Sequence, residues 1–300
     1  YARAHLIDAD NGGAYHLHSR CVRRTWLCGD DPVTGRSFEH RKDWLEHRLL
    51  KLSGLFAVKL VGYAIMSNHY HVVLESTPHD TATWSDDEVA ERWDQVSLSK
   101  CEKQRAKNRA QVLTCPERRA VVRQRLGDLS WFMRYINEPL ARLINEEDDC
   151  TGRAWEGRFR SSALLDDPAV LKCMIYVDLN PVRAGITDAV VAAPHTSIRR
   201  RWDSGDDAAP LAPLSALGLT LRDYVALLEW TARMPRKSTQ TQHHVVLPSR
   251  CAGYSPDAWR TEVDANHRRY RAYGSAERIK AYAENAGQRW IQTCASGPPH

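Results

Sequence analysis

The chain has 300 residues, of which 43% are hydrophobic and 26% charged, the proportions of an ordinary soluble globular protein with enough length for one large domain or two. No apolar run approaches the roughly 18 residues needed to span a bilayer and no signal peptide is visible, so no membrane partner is expected. The eight cysteines are scattered without a C-x-x-C pair, which points to the reduced thiols of a cytosol and away from a disulfide frame or a zinc ribbon.

The net charge of +5 is uneven: residues 199–300 carry 15 Lys/Arg against 10 Asp/Glu, and residues 1–198 are neutral. A nucleic-acid partner is compatible with a basic tail. A DNA site in the first two-thirds must come from local clusters of arginine.

Ala14 to Arg20 alternates Tyr15, Leu17 and Ser19 against His16, His18 and Arg20, a half-buried strand leading into Arg23 and Arg24. Apolar residues at 38, 45, 49 and 52 keep helical spacing, with Gly54 as the stop. Leu55 to Leu60 and Tyr63 to Glu75 read as one long strand or two paired ones. Within them, His69 and His71 share a strand face and Tyr70 takes the other. Two imidazoles so placed can close on one metal ion; they can also simply satisfy each other with hydrogen bonds. With 13 histidines in the chain chance supplies about one His-x-His pair, and His16-Leu17-His18 reads as such a coincidence.

Residues 76–127 read as a helical insertion, opened by the capping box Ser85-Asp86-Asp87-Glu88. Residues 100–125 are dense in Lys and Arg, a solvated face or a DNA-contacting arm. Ser130 to Asn145 is an amphipathic helix in which Pro139 implies a kink or a split into two. Arg153, Trp155, Arg158 and Arg160 then interleave charge with aromatics, either to contact phosphates and stack bases or as an ordinary edge strand. Asp166-Asp167-Pro168 opens a helix that must finish near Pro181. Tyr176 and Asn180, four residues apart, lie on one face of it. Ser204 to Ala216 looks like a linker. Thr220 caps a helix through Met234, and Ser255 and Ser275 each open a basic helix.

Ala64-Ile65-Met66-Ser67-Asn68-His69-Tyr70-His71-Val72-Val73-Leu74 resembles the His-hydrophobic-His signature of the HUH single-strand endonucleases. Tyr176-Val177-Asp178-Leu179-Asn180-Pro181-Val182-Arg183-Ala184-Gly185 resembles the tyrosine-helix signature of REP-associated and other single-tyrosine transposases. Trp155 to Ser162 looks like that family's basic segment between the two. The order and rough spacing agree over about residues 10–200.

The resemblance implies an α+β fold with a ferredoxin- or RRM-like antiparallel sheet, a transposase domain at 1–203 carrying the insertion at 76–127, a linker at 204–219 and a basic helical extension at 220–300. It implies that Tyr176 attacks a phosphodiester of single-stranded DNA beside a hairpin and leaves a 5′-phosphotyrosine. His69, His71 and Asn180 would hold Mg²⁺ or Mn²⁺ to polarise the phosphate. Arg153, Arg158, Arg160, Arg183, Arg23 and Arg24 would contact phosphates. It also implies a bacterial cytoplasmic, nucleoid-associated protein acting as monomer or homodimer. The alternative is a domesticated relative that binds structured DNA or RNA without turnover, against which the intact His69, His71 and Tyr176 argue.

Overall fold

The computed structural model describes residues 7–22, 25, 27–99, 101–233, 255–265, 270–288 and 293–295. Alternation decides the first strand. In β1 (Gly13–Arg20) Tyr15, Leu17 and Ser19 are buried on one side, and His16, His18 and Arg20 project from the other. Gly12 enters it at φ +77°, where a Cβ would stand 2.1 Å from the Ser76 carbonyl oxygen; only glycine fits there. Helix α1 (Glu39–Ser53) buries Leu45, Leu49 and Leu52 and ends at Gly54. The apolar run that follows folds as two strands, β2 (Val58–Ile65) and β3 (His69–Ser76), paired antiparallel.

The insertion holds α2 (Asp86–Val96), α3 (Glu102–Thr114) and α4 (Pro116–Leu126). Ser85 caps α2 by accepting from the Glu88 backbone N–H at 3.1 Å. These helices are more than a solvated face, since Val89, Val112, Val122 and Leu126 are buried in the same core as Phe56 and Phe132. Helix α5 (Leu129–Glu147) is one continuous helix with Pro139 inside it, which removes the alternative of a split into two. Proline at 139 removes the N–H that would bond the Tyr135 carbonyl, and the buried Arg48 donates to that carbonyl at 3.2 Å instead.

Next come β4 (Arg160–Leu164), α6 (Asp167–Asp178), the single turn α7 (Asn180–Arg183), α8 (Ser197–Ser204) and α9 (Leu221–Arg233). Further along the described residues are α10 (Pro256–Ala265), β5 (Ala272–Gly274), α11 (Ala276–Asn285) and β6 (Thr293–Ala295). Met234, expected to end α9, lies outside the described residues.

Among the described residues one sheet holds six strands in the order β2-β3-β1-β4-β5-β6. The first four are antiparallel, and β1-α1-β2-β3-α5-β4 in that order is the expected ferredoxin-like α+β unit. Helices α1 and α5 cover the face carrying Tyr15, Leu17, Val72 and Leu74. Helices α6 and α9 cover Ala64, Val73 and Leu164 on the other.

The described residues from 204 onward are built onto this frame. In the stretch expected as a linker, the Ala212 N–H donates to the Leu60 carbonyl at 2.7 Å and Leu214 is buried. Beyond it, β5 pairs with β4 in parallel, which makes the sheet mixed, and Trp259 and Val263 of α10 share the core of α6. Among the described residues no helix is long and apolar enough to cross a membrane, and Cys21, Cys28, Cys101, Cys115, Cys150 and Cys173 are free thiols.

One carboxylate ties α1 to β2 and to the segment entering α8. Glu46 accepts from the Tyr63 hydroxyl at 2.5 Å, from His195 Nδ1 at 2.9 Å and from Arg200 at 3.2 Å. Burial would raise its pKa, but these partners hold it below the ordinary 4.5. The folded state therefore binds this proton less readily than the unfolded chain, so the stabilisation is present above pH 4.5 and fades as the pH falls through the lowered value. Glu46→Gln is expected to cost about 1–3 kcal/mol at neutral pH and less at about pH 3.5. Urea unfolding of both proteins at the two pH values checks it; an equal loss at both would contradict the assignment.

Candidate metal and tyrosine site

The site begins with the register of two strands. In the β1–β3 pair His18 lies opposite His71, Arg20 opposite His69 and His16 opposite Val73. Residues facing each other across a pair project from the same face, so four imidazoles gather on the α6 side of the sheet. His71 and His16 are 4% and 3% exposed, and His18 and His69 are half-buried.

Ligand atoms of His16, His18 and His71 all lie within 4.8 Å of one another. Nε2 of His16 is 2.9 Å from Nδ1 of His71, so one proton is shared between two rings. Nε2 of His71 is buried without a hydrogen-bond partner, an arrangement that costs free energy unless something occupies it. Among the described residues neither ring nitrogen of His18 has a hydrogen bond. A divalent cation fits this donor set: three imidazoles within chelating distance, one of them with an orphaned nitrogen.

His69 is turned differently. Its Nδ1 donates to the Asn68 side-chain oxygen at 2.6 Å, which leaves the lone pair on Nε2. Its ring stands edge-on to His71, 5.0 Å between centroids. Asn180 sits one turn beyond Tyr176 on the same face, and its Nδ2 donates to the Tyr176 carbonyl at 3.2 Å.

Burial sets the charge state of the cluster. It pushes His16 and His69 down to about 4, with Arg20 adding to the effect at His69, and it holds His71 well below the usual imidazole range. His18 falls to about 2, from burial first and then from the neighbouring His16 and Arg160. All four rings are neutral at pH 7, the state a metal ligand requires.

Helix α6 brings the phenol. Asp166 caps it by accepting from the Ala169 N–H at 2.9 Å, and Met174 and Val177 are buried in the core on this side of the sheet. Tyr176 then faces the imidazoles: its ring is 5.6 Å from that of His71 and 6.1 Å from that of His16, both edge-on. Burial raises the Tyr176 pKa, opposed by Asn180 and by Arg183, whose guanidinium lies 5.3 Å from the ring centre.

The expected site residues are thus partly assembled. His69, His71, Tyr176 and Asn180 stand together. The compact triad shares only His71 with the expected ligand set, and brings in His16 and His18, the pair set aside as coincidence. The alternation in β1 put them on the face away from Leu17; what the sequence lacked was the pairing with β3. Arg160 lies opposite His18 at the exposed end of β4, and Arg153 and Arg158 are exposed in the loop before it. Arg183 is engaged with Asp264 of α10 at 2.6 Å. The half-buried Trp155 is anchored by its Nε1, which donates to the Asn137 carbonyl at 2.9 Å, and its ring meets Tyr70 edge-on. Arg23 and Arg24 lie outside the described residues.

No protein-family model matches the sequence, and no curated protein matches it. Among solved structures, a REP-associated tyrosine transposase bound to a REP hairpin is similar over 79% of this chain and 94% of that chain, at 12% identity and a TM-score of 0.36. A likeness of that size says nothing by itself about chemistry.

Binding of Co²⁺, followed by its visible spectrum, tests the cluster. His71→Ala is expected to abolish binding, and His18→Ala to weaken it about tenfold or more, at least the effect of losing an outer-shell partner. Unchanged affinity in His18→Ala together with loss in His69→Ala would move the ion to the Asn180 side.

Proposed function

We propose that this protein is a metal-dependent nickase and strand transferase of the single-tyrosine transposase type, acting on single-stranded DNA beside hairpins. The observation that carries the reading is the meeting of Tyr176 with His71, 5.6 Å between ring centres, from segments 105 positions apart in the sequence. The two motifs that hold these residues resemble the signature pair of that family.

The chemistry follows from the residue types. The Tyr176 phenol oxygen forms a bond to phosphorus while the bond from phosphorus to the 3′ oxygen breaks. The phenol proton leaves to solvent or a neighbouring base, and the departing 3′ oxygen gains one. The downstream strand stays on the protein as a 5′-phosphotyrosine, which keeps a reactive ester for rejoining. Burial keeps Tyr176 protonated at neutral pH, so proton loss has to accompany attack. The Arg183 cation over the Tyr176 ring favours developing phenolate.

A bound divalent cation would polarise the phosphate and offset charge in the transition state. His71 is a ligand under either assignment. His69 and Asn180 complete the set on the tyrosine side by motif resemblance; His16 and His18 complete it on the β1 side, favoured by their spacing. Nitrogen-rich donors suit Mn²⁺ better than Mg²⁺. Arg153, Arg158 and Arg160 are exposed beside β4 and would contact phosphates, positioning the strand without reading its sequence. A DNA substrate places the protein in the cytoplasm with the nucleoid. Monomer and homodimer are both compatible with this geometry.

The test is a 3′-labelled hairpin oligonucleotide incubated with the protein and Mn²⁺ and run on a denaturing gel. Label is expected to travel with wild-type protein and not with Tyr176→Phe, which retains DNA binding. An adduct that survives in Tyr176→Phe would remove the nucleophile assigned here. Binding without any adduct in wild type would leave the non-catalytic DNA- or RNA-binding relative as the better description.

A further inference from the structure

Away from the histidines, on the side of the sheet covered by α1 and α5, the insertion leans over α5 and leaves a cleft of about 990 Å³. That is the upper end of the range of ligand clefts. Its lining holds an aromatic group and a group of arginines. Trp93 of α2 meets Trp131 and Tyr135 of α5, with ring centroids 5.7 to 6.3 Å apart. Facing them are Arg109 of α3 and Arg118 and Arg125 of α4.

Arg125 lies 4.1 Å from the centre of the Trp131 ring. Arg109 and Arg118 are exposed and, among the described residues, have no carboxylate at ion-pair distance. Of the three carboxylates in the lining, Asp94 is held by Arg105 and Glu138 by Arg134 and Arg142; Glu146 is the third. The cleft is therefore cationic with an aromatic wall.

We propose that this cleft binds single-stranded nucleic acid, with the arginines on phosphates and bases stacked along the Trp131 and Trp93 rings. Stacking needs only the π-face every base has, and arginine beside an aromatic ring adds to it. An acidic peptide would use the arginines and leave the rings idle, and a proline-rich peptide would do the reverse. The site stands apart from the cleavage reading, since a chain that cuts nothing could still hold a strand here. If both hold, the sheet separates the two, and the cleft grips unpaired DNA that the tyrosine never reaches.

Fluorescence anisotropy of a labelled 20-nucleotide oligothymidine, which forms no hairpin, tests it on the full chain over a range of NaCl concentrations. Trp131→Ala is expected to weaken binding about tenfold with an unchanged salt slope. The double variant Arg109→Ala/Arg118→Ala, at exposed positions that leave the core intact, is expected to reduce that slope by about 1.4. Photocrosslinks from 5-iodouracil in the same oligonucleotide should map to Trp93, Trp131 or Tyr135. Unchanged affinity and slope in the double arginine variant overturns the proposal. So does displacement by polyglutamate with no dependence on Trp131, which would assign the cleft to an acidic protein. Failure here with a Tyr176 adduct intact sinks the cleft alone; absence of that adduct with these differences intact sinks the cleavage reading alone.

Discussion

Everything at the candidate site depends on the register between β1 and β3. A side chain's face is fixed by a period of two, so a slip of one residue would send His16 and His18 into the core under α1 and α5. That slip is resisted by Leu17 and Tyr15, which are 0% and 2% exposed and face Val72 and Leu74. Burying two imidazoles in their place would desolvate polar rings for no apolar gain. Ordinary hydrophobic packing on one face thus aligns an unusual group of histidines on the other.

The same division of faces explains how a polar site survives inside a protein core. Helix α6 buries Met174 and Val177 in the same core as Ala64 and Val73 of the sheet, and its next face presents Tyr176 to the rings. The four histidines stay neutral because the surroundings are dry. Neutral nitrogen in a dry site is a poor base and a good ligand. The orphaned Nε2 of His71 is where that preference is most exposed.

Much of this was legible in the sequence, where a local pattern decided the structure. The alternation in 14–20, the helical spacing in 38–52 and the cap at Asp166 each fixed an element by its own residues. His69, His71, Tyr176 and Asn180 were found through motif resemblance, and they stand together. What was not legible depended on partners distant in the chain. His16 and His18 looked like coincidence until β1 was placed beside β3. Pro139 reads as a break only without Arg48 to take up the carbonyl. Ala272–Gly274 is a strand of three residues, too short for periodicity to show, and it exists because β4 offers an edge.

On the proposed reading, these imidazoles and this phenol surround one cation. Crystals grown with Mn²⁺ and measured for anomalous scattering test it most directly. The account predicts a peak at His71 Nε2, about 2.0–2.3 Å away, on the side of the sheet that Tyr176 faces. A fully loaded crystal with manganese elsewhere and nothing at His71 would contradict it.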